Sequence, residues 1–261
     1  MALTAGFNPA GAVSGNSILA TDAGDATAWN SVSTVSGWPK YSNSIALFGK
    51  TLSARVATAG TAPSLSWSTS YASPAEDYGR LYLYINTLPS AAGAPLVFGN
   101  VINGFSIVLT SAGKITINKS TGAAQATSAT TLSALQWYRI EYHYATGAST
   151  PSVSIYTSPD SASAAETLTA SSWTVVAAPS ILFGGDGNTK TFDLNVAQIA
   201  VLGTAAIGPY PVNSIAPAVS GSAPAGSTLT AANGTWNGTF NYTYQWTSNG
   251  SNIAAATSST Y

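Results

Sequence analysis

The sequence predicts an all-β protein, and three observations carry that prediction. Apolar and polar residues alternate with the two-residue period of a strand in one segment after another. The breaks between these segments are rich in Gly, Pro, Asn and Ser, and no stretch holds a helical period. The clearest segment is Gln136–Tyr144, in which Tyr138, Ile140, Tyr142 and Tyr144 fall on one side and Trp137, Arg139, Glu141 and His143 on the other. A break at Thr146-Gly147-Ala148 leads to a second segment, Val153–Tyr156, so the two are expected to pair.

Eight basic and nine acidic side chains make up 7% of the 261 residues and leave a net charge of −1, where ordinary soluble domains carry roughly 25% charged residues. Such a chain has no long-range field to gather nucleic acid or an anionic membrane, and no apolar run approaches a membrane span. Cysteine is absent, which removes disulfides, thiolate metal sites and a cysteine nucleophile together. No charged side chain follows Asp193, a shift in composition that marks a second module. The start of the chain, Met1–Pro9, has neither the basic nor the apolar region of an export signal.

Taken in order, residues 1 to 40 are rich in Gly, Ser, Asn and Ala, with isolated Trp29 and Trp38. They read as an arm or as short strands whose tryptophans cover one end of a core. Short alternating runs follow at Ser44–Val56 and Ser64–Ser68, broken at Gly49 and Gly60-Thr61-Ala62-Pro63. In Tyr78–Pro89, Leu81, Leu83 and Ile85 form a core-facing row and Arg80, Tyr82 and Tyr84 the opposite one. Phe105–Thr110 and Lys114–Asn118 form a hairpin across Ser111-Ala112-Gly113. Ile181–Gly184 and the long run Phe192–Leu202 complete the strands, separated by a polar glycine turn.

This succession, Asn103–Leu109 with Gly113–Ile117, then Gln136–Tyr142, Ser152–Tyr156, Ile181–Gly185 and Phe192–Val201, resembles the concanavalin A-like, laminin G-like jelly roll. The resemblance implies a two-sheet antiparallel sandwich. Beyond a linker at Pro209-Tyr210-Pro211, the motifs Ala216–Gly221, Ala225–Thr230, Asn233–Trp236, Tyr242–Trp246 and Ala255–Tyr261 resemble a bacterial and phage immunoglobulin-like surface repeat. That second resemblance implies inward-pointing Leu229, Trp236 and Trp246 and a hairpin turn at Asn249-Gly250. The repeat normally carries further strands after the position of Tyr261. The expected organisation is an arm over 1–40, a jelly roll over 41–208, a linker over 209–215 and a truncated immunoglobulin-like module over 216–261.

The chemistry-bearing residues are few. Glycan hydrolysis calls for two carboxylates at a set separation, whereas Glu76 and Asp77 are adjacent and alternate to opposite faces, and Glu141 has no acidic neighbour at 139 or 143. His143, Arg139 and Tyr142 echo a polysaccharide lyase, but Tyr142 alternates away from the other two. The expectation is a protein without enzymatic activity. Arg80, Tyr82, Tyr84, Arg139 and His143 are the carbohydrate-binding candidates, by stacking and hydrogen bonding; a solvated outer face is the other reading of the same pattern. Asp186, Asn188 and Asp193 could supply oxygen ligands to a calcium ion; the other reading takes Asp186-Gly187-Asn188 as the turn that such residues prefer. Asp22 and Asp25 form a second such loop pair.

The two resemblances together imply a structural or adhesive protein on the virion surface of a tailed bacteriophage, as a minor tail protein or capsid decoration. Its partners would be other virion proteins, further copies of itself and a host-surface glycan. A secreted bacterial carbohydrate-binding or adhesion protein is the alternative.

Overall fold

The computed structural model describes residues 2–5, 13–19, 29, 31–34, 36–45, 47–48, 52–61, 63–67, 75–98, 104–119, 122, 124–176, 180–184, 189–222, 224, 226–236 and 241–261. They form two compact units, Met1–Gly208 and Pro209–Tyr261.

The first unit begins with β1 (Ala2–Ala5), β2 (Ser31–Ser33), β3 (Lys40–Ser42), β4 (Ser53–Thr61), β5 (Ser64–Trp67) and β6 (Glu76–Thr87). It continues with β7 (Ala94–Phe98), β8 (Ser106–Leu109), β9 (Ile115–Asn118), β10 (Ala124–Thr127), β11 (Trp137–Ala145) and β12 (Gly147–Ser149). The last five are β13 (Ser152–Tyr156), β14 (Glu166–Thr169), β15 (Trp173–Val175), β16 (Ile181–Gly184) and β17 (Thr189–Leu202). One sheet has the order β14-β13-β11-β6-β17-β4-β3, with β1 beside the far end of β17, and the other runs β10-β9-β8-β7-β16-β5-β2. The chain passes repeatedly from one sheet to the other, and every pairing is antiparallel. This is the all-β fold that the alternation predicts, in the two-sheet jelly-roll form that the resemblance implies.

The core lies between the sheets. Leu81, Leu83 and Ile85 of β6 and Tyr138, Ile140, Tyr142 and Tyr144 of β11 all point inward and are buried. Each aliphatic side chain of this kind contributes roughly 2 kcal/mol by leaving water. The inward row is so full that β6 requires a glycine opposite Tyr142: a Cβ on Gly79 would stand 1.9 Å from Tyr142 Cε1. Trp29 stacks on Trp67 at 4.3 Å, with Phe183 edge-on, and closes one end.

Three expectations change in detail. Part of the arm belongs to the sandwich, because Ala2–Ala5 pairs with Ile199–Leu202 and Ser31–Ser33 pairs with Ser64–Ser66. Pairing through backbone groups needs no side-chain period, so these strands left no pattern to read. Of the run Ser44–Val56, expected as strands broken at Gly49, the described residues join the sheet from Ser53 onward, and Ser53 Oγ donates to the Ile45 carbonyl at 2.5 Å. In β17 the ladder with β6 slips between Ala197 and Ala200. Gln198 there takes φ = 45°, the geometry of a bulge.

The second unit consists of β18 (Asn213–Ile215) with β21 (Thr235–Trp236), β19 (Ala218–Gly221) with β20 (Leu229–Ala232), and β22 (Thr247–Ser248) with β23 (Ser251–Asn252). Asn249-Gly250 makes the expected hairpin turn, both residues at positive φ. Leu229, Trp236 and Trp246 are only half buried, and no described residue of this unit is fully buried. The described residues form three two-stranded ribbons, with Ser259–Tyr261 bonded along β20 at Leu229 and Ala231, and do not close the immunoglobulin-like sandwich.

Candidate functional site

The outer face of the larger sheet, turned away from the core, carries the residues singled out in the sequence. Its centre is covered. Tyr82 is 0% exposed, with Phe48 edge-on at 5.1 Å. Arg80, 6% exposed, donates from Nη1 to the Gly208 carbonyl (2.9 Å) and from Nε to that of Gln198 (3.4 Å). Arg139, 1% exposed, lies 3.6 Å over the Tyr156 ring, donates to Glu141 Oε1 at 2.7 Å and holds the Pro159 and Ser161 carbonyls. These three residues were expected on a sugar-binding surface and are instead inside the protein. Strand alternation assigns a side chain to a face, but it does not reveal the loops that cross that face afterwards.

Among the described residues, two grooves flank this centre. The smaller, about 260 Å³, is lined by Tyr78, Glu141, His143, Ser152, Ser154 and the segment at Ala206-Ile207. Its Tyr78, His143 and Glu141 side chains are engaged with neighbours, while the buried Tyr142 hydroxyl in the same lining has no hydrogen-bond partner among the described residues. His143 Nε2 donates to Glu76 Oε1 (2.8 Å), Tyr78 OH donates to the same oxygen (2.9 Å), and the Tyr78 and His143 rings stack at 4.2 Å. The hydrogen bond from His143, then that from Tyr78, holds the Glu76 carboxyl below its ordinary value, and the bond to Glu76 raises Tyr78.

The larger groove, about 610 Å³, lies over the ends of β4, β6 and β17 and is lined by Trp38, Arg55, Thr58, Thr87, Thr191 and Asp193, among others. Lys40 and Arg55 are cross-strand partners on β3 and β4, and both cations lie against the Trp38 ring, at 5.0 and 5.2 Å from its centroid. Arg55 Nε donates to Asp193 Oδ1 at 2.8 Å and Nη2 to Oδ2, a two-point pairing that raises the guanidinium pKa. Asn86 Nδ2 donates to Asp193 Oδ1 (3.1 Å) and Asn195 Oδ1 (2.6 Å), and Asn195 Nδ2 donates to Ser53 Oγ (2.8 Å). The result is a fixed array of planar polar groups beside a half-buried indole.

Of the expected calcium ligands, Asp186 and Asn188 lie outside the described residues, as do Asp22 and Asp25. Asp193 has both carboxylate oxygens engaged by Arg55 and Asn86, so a guanidinium takes the place a cation would need. Among the described residues, no three His, Asp or Glu side chains converge on a metal-sized site.

Of the expected sugar contacts, Tyr84 and His143 are partly exposed, on β6 and β11. Sequence reasoning missed the groove formed by Trp38, Arg55 and Asn86. The only signal was an isolated tryptophan before a proline, outside any periodic run.

The sequence matches no protein-family model and no curated protein. Among solved structures, it aligns over 68% of its length with 43% of a botulinum neurotoxin type C chain whose cell entry depends on two ganglioside molecules (TM-score 0.46, 9% identity). It also aligns with Trypanosoma rangeli sialidase in complex with sialic acid (58% of this chain, 25% of that one, TM-score 0.43, 14% identity). A third is the endo-β-1,4-glucuronan lyase of the fungus Trichoderma reesei (66% and 90%, TM-score 0.46, 11% identity). None of the three carries an argument about ligand or activity here. The chain spans less than half the length of the first two.

Proposed function

We propose that this protein is a non-enzymatic adhesion module that binds carbohydrate in the Trp38 groove, on the surface of a tailed-phage virion. The observation that supports the reading is the pairing in one open groove of an indole with a pre-ordered array of hydrogen-bonding groups, Arg55, Asp193 and Asn86. Sugars present apolar C–H faces and a rim of hydroxyls, and a site for them combines an aromatic surface with fixed donors and acceptors. Both carboxylate oxygens of Asp193 are held by Arg55 and Asn86, so the groove wall presents polar groups in fixed positions, as recognition of a ligand requires. Lys40 lies against the Trp38 ring beside the Arg55–Asp193 pair, and this further cation lets the groove tolerate a sugar bearing a carboxylate.

The test is calorimetric titration of cello-oligosaccharides, chito-oligosaccharides and oligoglucuronates into the whole chain. At least one series binds, and Trp38→Ala weakens it. Failure of all three series, or equal binding by Trp38→Ala, defeats the reading. The virion placement rests on the resemblance of the two modules and on the charge-poor, cysteine-free composition. It predicts that the polypeptide is recovered in fixed copy number from purified particles; its recovery from culture medium alone replaces it with the secreted alternative.

A further inference from the structure

The outer face does not stop at the Trp38 groove. Direct cross-strand partners project from the same face of a sheet. The registers Lys40↔Arg55, Arg55↔Asn195, Asn195↔Tyr84 and Tyr84↔Trp137 therefore place these five side chains in one row across β3, β4, β17, β6 and β11. Asn195, in the middle of the row, is buried; the half-buried Asn86, on the same face of β6 as Tyr84, donates to Asp193 and Asn195 and supplies the accessible polar group between the Arg55 end and the Tyr84 end. At the far end, Tyr84 and Trp137 meet edge to face at 5.5 Å, both partly exposed.

A second observation marks that end. Leu135 is 71% exposed and sits at φ = 67°, two residues from Trp137, with its amide bonded to the Ile85 carbonyl at 2.8 Å. A leucine at positive φ is strained, and leaving its side chain in water adds no burial to offset the strain. Together with the partly exposed Tyr84 and Trp137 rings, Leu135 puts an apolar group at this end of the face.

We infer that Tyr84, Trp137 and Leu135 form a second contact point for the glycan held at Trp38, so that the face reads an internal stretch of a linear chain lying across the strands. The inference rests on the carbohydrate reading above. Three strand spacings separate Arg55 from Trp137, about 14 Å at about 4.8 Å each. One spacing is close to the length of a pyranose unit, so a bound chain needs at least three units to touch both ends. A single terminal sugar reaches only one.

The experiment is calorimetry of wild type, Trp137→Ala and Leu135→Gly against the monomer-to-hexamer members of the cello-, chito- and glucuronate series, with thermal melts of each protein. For the series that binds, wild-type affinity climbs about tenfold between dimer and tetramer and then levels. Trp137→Ala removes the climb and leaves short-oligomer affinity unchanged. Leu135→Gly separates function from structure: glycine relieves the positive φ, so the melting temperature holds or rises while tetramer affinity falls. Equal wild-type affinity for dimer and hexamer, or unchanged tetramer binding by both variants, overturns the second contact point and leaves the glycan reading standing. No binding by any series removes both.

Discussion

The two grooves on the outer face share a sheet but differ in what their side chains have left to offer. Around His143, the imidazole, the Tyr78 hydroxyl and the Glu76 carboxylate are bound to one another, and Arg139 holds Glu141. Around Trp38, the polar groups are also ordered, but they are arranged along the wall of a space more than twice as large, next to an indole. A paired cluster in a small groove stabilises the sheet, whereas an ordered array along a large groove is ready to receive a ligand without reorganising. The difference shows that a concentration of ionisable residues is a poor guide to a binding site when those residues neutralise each other.

The strongest way to break this comparison is to remove the wall between the grooves. Arg139→Ala takes away a buried cation, frees the loop carbonyls of Pro159 and Ser161 and leaves Glu141 without its partner. Unfolding free energy is expected to fall by about 3 kcal/mol. Denaturant unfolding measures it, and a loss under about 1 kcal/mol would mean that the covered centre is only loosely held.

Next is Trp38→Ala, for which a loss of about 2 kcal/mol in glycan binding is expected, the cost of truncating an aromatic anchor. The same substitution has little effect on the melting temperature, because the indole lies outside the core. A large drop in stability with unchanged affinity would reassign Trp38 to structure.

Gly79→Ala sharpens the comparison from the core side. The added methyl collides with the buried Tyr142 ring, and overpacking of this kind costs about 2 kcal/mol of stability. Binding at Trp38, on the opposite face, is unaffected after correction for the unfolded fraction.

The smallest effect is at Glu76. Folding lowers its pKa, so the stability from its link to His143 and Tyr78 is complete above the unfolded carboxylate's pKa and is lost as pH falls through the folded value. Glu76→Gln should flatten the acid limb of the melting-temperature profile and leave glycan affinity unchanged. A change in affinity would place the ligand in the His143 groove.

Much of the sandwich was legible in the sequence because its strands are buried on one face and polar on the other. Leu81, Leu83 and Ile85, the tyrosines of β11, the Ser111-Ala112-Gly113 turn and the β11–β13 pairing all follow from that alternation. The face of Arg80, Tyr82 and Arg139 was identified correctly, but its exposure was not. Its cover comes from loops at Phe48, Pro159 and Gly208, remote in sequence and without period.

The Trp38 groove was illegible for a related reason. Trp38, Arg55, Asn86 and Asp193 come from four separate segments, and only the register of β3, β4, β6 and β17 brings them together. Asp193 was singled out as a metal ligand because its guanidinium partner, 138 residues away, cannot be inferred from its neighbours.

The most direct measurement is oxidative footprinting of the whole chain, read by mass spectrometry, with and without a saturating oligosaccharide from the series that binds. The account predicts that Trp38, Tyr84 and Trp137 become protected while Tyr78 and His143 keep their free reactivity. Protection of Tyr78 and His143 with Trp38 unchanged would contradict it and move the binding site to the other groove.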